Sequence, residues 1–233
     1  MAFKSGGRKC KFESLENRQM MAGDVFASVH AGTLTIKGDN LSNGITITAG
    51  ANPYEVVVTG INLAGSGTAV NGLVNTPVTL VNVTKNIKVS MARGNDTVTV
   101  NNLTVTGDLK MRGGRGLDTF IVNASTICGE LEIKTSGGAD NVTITNTTVA
   151  GETEISTGRD CDNVTITGSD VGELEVFLNE DNDHLDISGT QVVTETELNG
   201  GKGINLFENE GMSNFFGGVY NKMKLSGGHE ATI

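Results

Sequence analysis

Five aspartates and an asparagine recur at a near-constant interval: Asp96, Asp118, Asp140, Asp162, Asp183 and Asn205, in steps of 22, 22, 22, 21 and 22 residues. A fixed period of about 20–50 residues marks stacked repeat architectures, in which each unit buries its apolar face against the next. The units align as GDLKMRGGRGLDTFIVNASTI, GELEIKTSGGADNVTITNTTV, GETEISTGRDCDNVTITGSDV and GELEVFLNEDNDHLDISGTQV. Within them the apolar residues alternate with the period of two that marks a strand. A first strand points Leu109/Met111, Leu131/Ile133, Thr153/Ile155 and Leu174/Val176 inward. A second does the same with Val98/Val100, Phe120/Val122, Val142/Ile144, Val164/Ile166 and Leu185/Ile187. A third, shorter strand carries Val83, Val105, Ile127, Val149, Val171 and Val192. No unit has a helical pattern. The expected fold is all-β: a parallel β-helix, or β-solenoid, of about 22 residues per turn with three short strands per turn. It should be right-handed, the usual hand of parallel connections.

Composition agrees. Gly is 32 of 233 residues, Pro only 2, Trp is absent and aromatics are 4%, which suits short strands and tight turns. The chain divides into an N-terminal segment and cap (1–29), irregular first turns of the coil (30–84), regular turns (85–207) and a C-terminal cap (208–233). A stacked coil must protect both ends from edge pairing; residues 12–22 and the tail MSNFFGGVYNKMKL are the expected caps. There is no apolar run of ~18 residues to span a membrane. Lys4, Arg8, Lys9 and Lys11 are not followed by the apolar stretch of an ordinary secretory signal. Cys10, Cys128 and Cys161 lack metal-ligand spacing and read as small buried or half-exposed thiols.

Residues 12–25, FESLENRQMMAGDV, resemble a short signature near the start of large secreted or surface proteins of planctomycete bacteria. Its pattern is an aromatic, then LE-x-R, then two apolar residues and a small one. Here these are Phe12, Leu15-Glu16, Arg18, Met20-Met21 and Ala22. Such proteins continue into β-helical repeats in the style of GGADNVTIT and GNDTVTV, which this chain also has. The resemblance implies an extracellular or cell-surface location.

Residues 113–121, GGRGLDTFI, also fit the nonapeptide with which repeat-in-toxin proteins wrap calcium. Calcium in those coils is shared between consecutive copies, whereas here the copy comes once per turn. Asp96, Asp118, Asp140 and Asn205 therefore read as a ladder of turn caps that bond nearby backbone N–H groups. Arg93, Arg115 and Arg159 lie three residues earlier and are expected to neutralise the row. Asp160, Asp162, Glu180, Asp181 and Asp183 crowd two adjacent turns. They are the candidate metal site, with calcium the candidate cation because it takes several carboxylate oxygens.

The outward positions of the first strand form an acidic face: Asp108, Glu130, Glu152, Glu173 and Glu195 in one row, Glu132, Glu154, Glu175 and Glu197 in the next. Neighbours in a row stand ~4.8 Å apart. Such a like-charge pair costs ~1 kcal/mol even in water, so the face invites divalent cations or a basic partner. Charge is also polarised along the chain. Residues 1–120 hold 12 Lys/Arg and 8 Asp/Glu (+4); residues 121–233 hold 5 and 19 (−14). Because sequence order is axial order in a solenoid, head-to-tail association into a homo-oligomer or filament is expected.

Pectate-lyase-like enzymes share such a coil but wall a cleft with long loops; here turns 85–207 vary by one residue. His30, His184 and His229 fall in unrelated contexts. No catalytic residues are assigned, and the reading leans away from an enzyme. Rows of Thr97, Thr99, Thr143, Thr145, Thr165 and Thr167 raise an ice-binding reading, but Ile121, Asn141, Asn163 and Asp186 interrupt them. A pI of 4.7 argues against nucleic acid. The expected role is a non-enzymatic, exported structural or adhesive solenoid with cations screening its acidic face. The alternative is a carbohydrate-binding or carbohydrate-cleaving β-helix protein that meets a surface polysaccharide.

Overall fold

The computed structural model describes residues 23–63, 66–210, 214–215 and 219–221. The described residues are all β, with no helix. Most of the chain is a parallel coil. Its first face stacks Ile87–Arg93, Leu109–Arg115 and Leu131–Gly137, continued by the longer strands Thr148–Arg159 and Asp170–Asn179 and then by Thr196–Asn199. Its second face stacks Thr97–Asn101, Thr119–Asn123, Asn141–Thr145, Asn163–Thr167, His184–Ser188 and Leu206–Glu210. Two-residue strands such as Thr104–Val105 and Thr126–Ile127 form the third side. In two turns this third strand runs straight into the next first-face strand. The single 21-residue step falls at that junction, where pairing shifts between Val149 and Glu152.

The alternation explains the core. Every inward residue expected on the first and second strands is buried, among them Met111, Phe120, Ile133, Ile144, Ile166 and Val176 at 0% exposure. Burying one such side chain stabilises the coil by about 1.5–3 kcal/mol. Thr153 and Thr196 occupy the same inward row and are buried too.

The stretch expected to hold looser turns departs from the coil. β1 (Asp24–His30) and β2 (Thr33–Lys37) form an antiparallel pair. β3 (Gly44–Ala49) and β4 (Val56–Gly60) form another. β2 and β3 alone belong to the coil, pairing in parallel with the strands at 87–93 and 97–101. Leu34 pairs with Ile87, a step of 53 residues. The extra chain folds into short strands: β5 (Asn62–Leu63), β6 (Ser66–Gly67), β7 (Ala69–Val70), β8 (Leu73–Val74) and β9 (Val78–Leu80). β1 covers the edge of β2 and is extended by β7 and β8; β4 covers β3 and is extended by β9. The first end of the coil is thus closed by the chain folding back, and the outermost strands are two and three residues long. Short edge strands are poor templates for strand addition.

The expected first cap, residues 12–22, lies outside the described residues. At the other end, part of the expected cap continues the stack: Asn214–Phe215 pair in parallel with Gln191–Val192, and Val219–Asn221 with Thr196–Leu198. No helix of the described residues is long and apolar enough to cross a membrane. Cys128 and Cys161 are free and exposed rather than buried. Both fall at corners, where alternation does not set burial.

Candidate functional site

The corner between the first and second faces is built the same way in every regular turn. Two residues in the left-handed region alternate with one that is not, and the ladder residue follows two positions later. The pairs are Ala92/Gly94, Gly114/Gly116, Ser136/Gly138, Gly158/Asp160, Asn179/Asp181 and Gly201/Gly203. This reversal turns the ladder side chain inward. Asp96, Asp118, Asp140, Asp162, Asp183 and Asn205 are all 3% exposed or less.

Each ladder residue caps the turn before it. The backbone N–H of Asp96 donates to Oδ1 of Asp118 at 2.9 Å, that of Asp118 to Asp140 at 2.7 Å and that of Asp140 to Asp162 at 2.8 Å. The backbone N–H of Asp162 donates to Asp183 Oδ1 at 2.9 Å and that of Asp183 to Asn205 Oδ1 at 2.8 Å. The ladder has a seventh member at its first end: the N–H of Asn43 donates to Asp96 at 2.7 Å. Asn43 was missed because the step to Asp96 is 53 residues rather than 22, although GDNLSN carries the turn composition that marks the other corners.

The second oxygens are less well served. Oδ2 of Asp96, Asp118, Asp140, Asp162 and Asp183 is buried with no hydrogen-bond donor. Burial, reinforced by neighbouring ladder carboxyls, raises Asp96 and Asp162 to about 7 and outweighs the backbone bonds that lower them. Burial likewise raises Asp118 and Asp183 to about 6, and it raises Asp140. The arginines expected to neutralise the row do not reach it. Arg93, Arg115 and Arg159 are exposed, and Arg159 pairs with Glu180 at 3.3 Å.

The five residues proposed as a metal site divide into an inward group and an exposed group. Asp162 and Asp183 point inward as ladder members. Asp160 and Asp181 sit in the left-handed region on the exposed side, where the N–H of Asp160 donates to Asp181 Oδ2 at 3.1 Å. Glu180 turns to Lys202 at 3.1 Å as well as to Arg159, and these cations hold its carboxyl below the usual range. The corner sends alternate residues to opposite sides, so Asp160 and Asp181 are exposed while Asp162 and Asp183 are buried.

The acidic face is a real row but is part neutralised. Lys110, Glu132, Glu154, Glu175 and Glu197 are in register on successive strands, as are Glu152 and Glu173. Asp108 leaves the face to accept the N–H of Glu130 at 3.1 Å. Glu132 is 5% exposed and is ringed by Lys110 at 3.2 Å, Arg112 at 2.9 Å and Lys134 at 3.5 Å. Burial raises the Glu132 carboxyl, but the bonds from Arg112 and Lys110 and the charge of Lys134 more than offset this and lower it. Lys110 also holds Glu130 at 2.8 Å, and Lys134 holds Glu154 at 2.9 Å. Oxygens of Glu130, Glu132 and Glu154 lie within 4.8 Å of one another, close enough to hold a metal ion. Here lysine ammonium groups already occupy that role. Reading the face by rows missed the third column, where Arg112 and Lys134 stand beside the glutamates.

Beyond Glu154 the balance changes. Burial, then repulsion from neighbouring glutamates, raises the Glu152 and Glu175 carboxyls. At the opposite end of the same face, Lys37, Lys88, Lys110 and Arg112 line a shallow groove of about 290 Å³. One flat face therefore runs from basic through internally paired to acidic. On the second face, His184 Nε2 meets Glu208 at 3.0 Å. Comparison with protein-family models, with curated proteins and with solved structures finds no match.

Proposed function

We propose that this chain is a non-enzymatic structural or adhesive solenoid that works through its first face, associating with further copies by charge. The observation that carries this reading is the gradient on that face, from Lys37 and Lys88 at one end to Glu173, Glu175 and Glu195 at the other. A copy laid alongside with its axis reversed sets Lys88 against Glu175. The first end is closed by short strands, so the contact falls on this charged side surface and replaces the end-to-end stacking expected from the charge polarity. Divalent cations, calcium first, screen the acidic half and compete with that contact. Export rests on the resemblance of residues 12–25 to surface proteins.

Charge swapping tests the proposal. Lys37→Glu/Lys88→Glu and Glu173→Lys/Glu175→Lys should each stay monomeric at low salt, and mixing the two should restore a heterodimer. Two swapped variants that each associate like the unaltered chain would refute it.

A further inference from the structure

We infer that the ladder is closed by protons: Asp96, Asp118, Asp140, Asp162 and Asp183 are neutral carboxylic acids in the folded chain, each donating its Oδ2 hydrogen to the corner five residues earlier. The corner thereby becomes a stack of proton-binding sites that tightens the coil in acid.

Four observations converge. First, Oδ1 of each aspartate already accepts a backbone N–H, while each Oδ2 is buried without a donor. An ionised oxygen left so would carry the full cost of burying an unpaired charge. Second, the ladder shows what belongs there. At its last rung Asn205 accepts the same N–H through Oδ1, and its Nδ2 donates to the carbonyl of Gly200 at 2.6 Å. A protonated carboxyl has the amide's shape and donates in the same direction. Asn43, on the first rung, likewise donates from Nδ2 to a corner carbonyl, that of Leu41 at 2.7 Å. Third, threonine hydroxyls lie against Asp140 and Asp162 with their protons already used. Thr135 donates to the carbonyl of Thr157 at 2.8 Å and Thr157 to that of Leu178 at 3.0 Å. What each hydroxyl has left is a lone pair, which calls for a donor from the aspartate. Fourth, the groups that face the ladder are acidic or neutral: the ladder's own neighbours, Asp39 beside Asp96, Asp160 beside Asp140, Asp181 beside Asp183, and Asn43. Rungs stack ~4.8 Å apart, so ionising one raises the cost of ionising the next.

A cation is a poorer fit than a proton. Each rung offers one unpartnered oxygen, whereas calcium takes six to eight.

The sign follows from linkage. A carboxyl raised above its unfolded value of 3.8 contributes stability that is complete below that pH and is lost as pH rises through its folded value, about 6 to 7 for four rungs. The test is thermal unfolding of the full chain between pH 4 and 9, in EDTA and in calcium, for the unaltered chain and for Asp118→Asn and Asp140→Asn. It is joined by infrared difference spectra, unaltered chain minus each variant, of native protein near pH 5, in which the surface carboxyls cancel. Expected are a melting temperature that falls between about pH 4 and 7 in EDTA and levels off above, a shallower fall in each Asn variant with a higher melting temperature at pH 8, and a protonated-carboxyl band weakened in each variant. An absent band at pH 5 would overturn the inference. So would an Asn variant less stable than the unaltered chain throughout, or a fall that calcium reverses only while both aspartates are present.

Discussion

The two glycines of the turn SGGADN make opposite predictions. Gly138 has φ +124, and a Cβ there would stand far inside van der Waals contact with the carbonyl oxygen of Gly116 in the preceding turn. Gly137, its neighbour, has no atom within 4 Å of a built Cβ and lies outside the left-handed region. Its register partners are Arg115 and Arg159, so the fold already accepts large side chains in that row. For Gly138→Ala, placing a non-glycine residue in the left-handed region costs roughly 1–2 kcal/mol. Relief toward the φ of 75 seen at Asp160, the next residue in that row, means moving the stacked carbonyl, about another 1 kcal/mol. Against this, alanine reduces the freedom of the unfolded chain, worth about 0.4–1 kcal/mol. The expected net loss is about 2 kcal/mol. Gly137→Ala keeps only the favourable part and should be neutral or stabilising by about 0.4–1 kcal/mol. Urea unfolding of both variants at one pH reads the difference, provided the slopes match. If Gly138→Ala unfolds within about 0.5 kcal/mol of Gly137→Ala, close carbonyl stacking is not what holds this corner.

Three further outcomes follow from the packing. Phe120→Ala removes the largest fully buried side chain among the described residues and should cost about 3–5 kcal/mol in urea unfolding. Glu132→Gln should cost about 1.5–3 kcal/mol at pH 7 through its charged bonds. Because that carboxyl is lowered from 4.5, its contribution is present above pH 4.5 and lost as pH falls, so variant and parent should converge near pH 3; a constant gap would refute the ion-pair account. Cys128 and Cys161, both exposed, should react with a thiol reagent in the native state at rates near those of a small free thiol.

How much of this was legible in the sequence depended on whether neighbours in space share the 22-residue step. The alternation of Leu109/Met111 and Phe120/Val122 named the core residues, because a strand period fixes which side is buried. Strand direction has no such signature: TLTIK and GITITA alternate like any coil strand, yet each pairs antiparallel with a neighbour on one side. Asn43 was hidden by its 53-residue step, and the insertion that causes the step became the cap. Two local features of the candidate sites were not legible. Two left-handed residues per corner send Asp160 and Asp162 to opposite sides, which spacing alone cannot show. Lys134 and Arg112 meet Glu132 across columns, whereas the acidic rows were read along them. That the ladder bonds backbone N–H groups was expected, but its inward direction and its buried, donorless oxygens emerge only once the turns are stacked.

Sedimentation of the unaltered chain, compared at about 0.01 M and about 1 M salt where screening lengths differ tenfold, tests the central functional claim most directly. The account predicts association at low salt that dissolves at high salt and, at low salt, on adding millimolar calcium. A monomer at every salt concentration, or an oligomer indifferent to both salt and calcium, would contradict it.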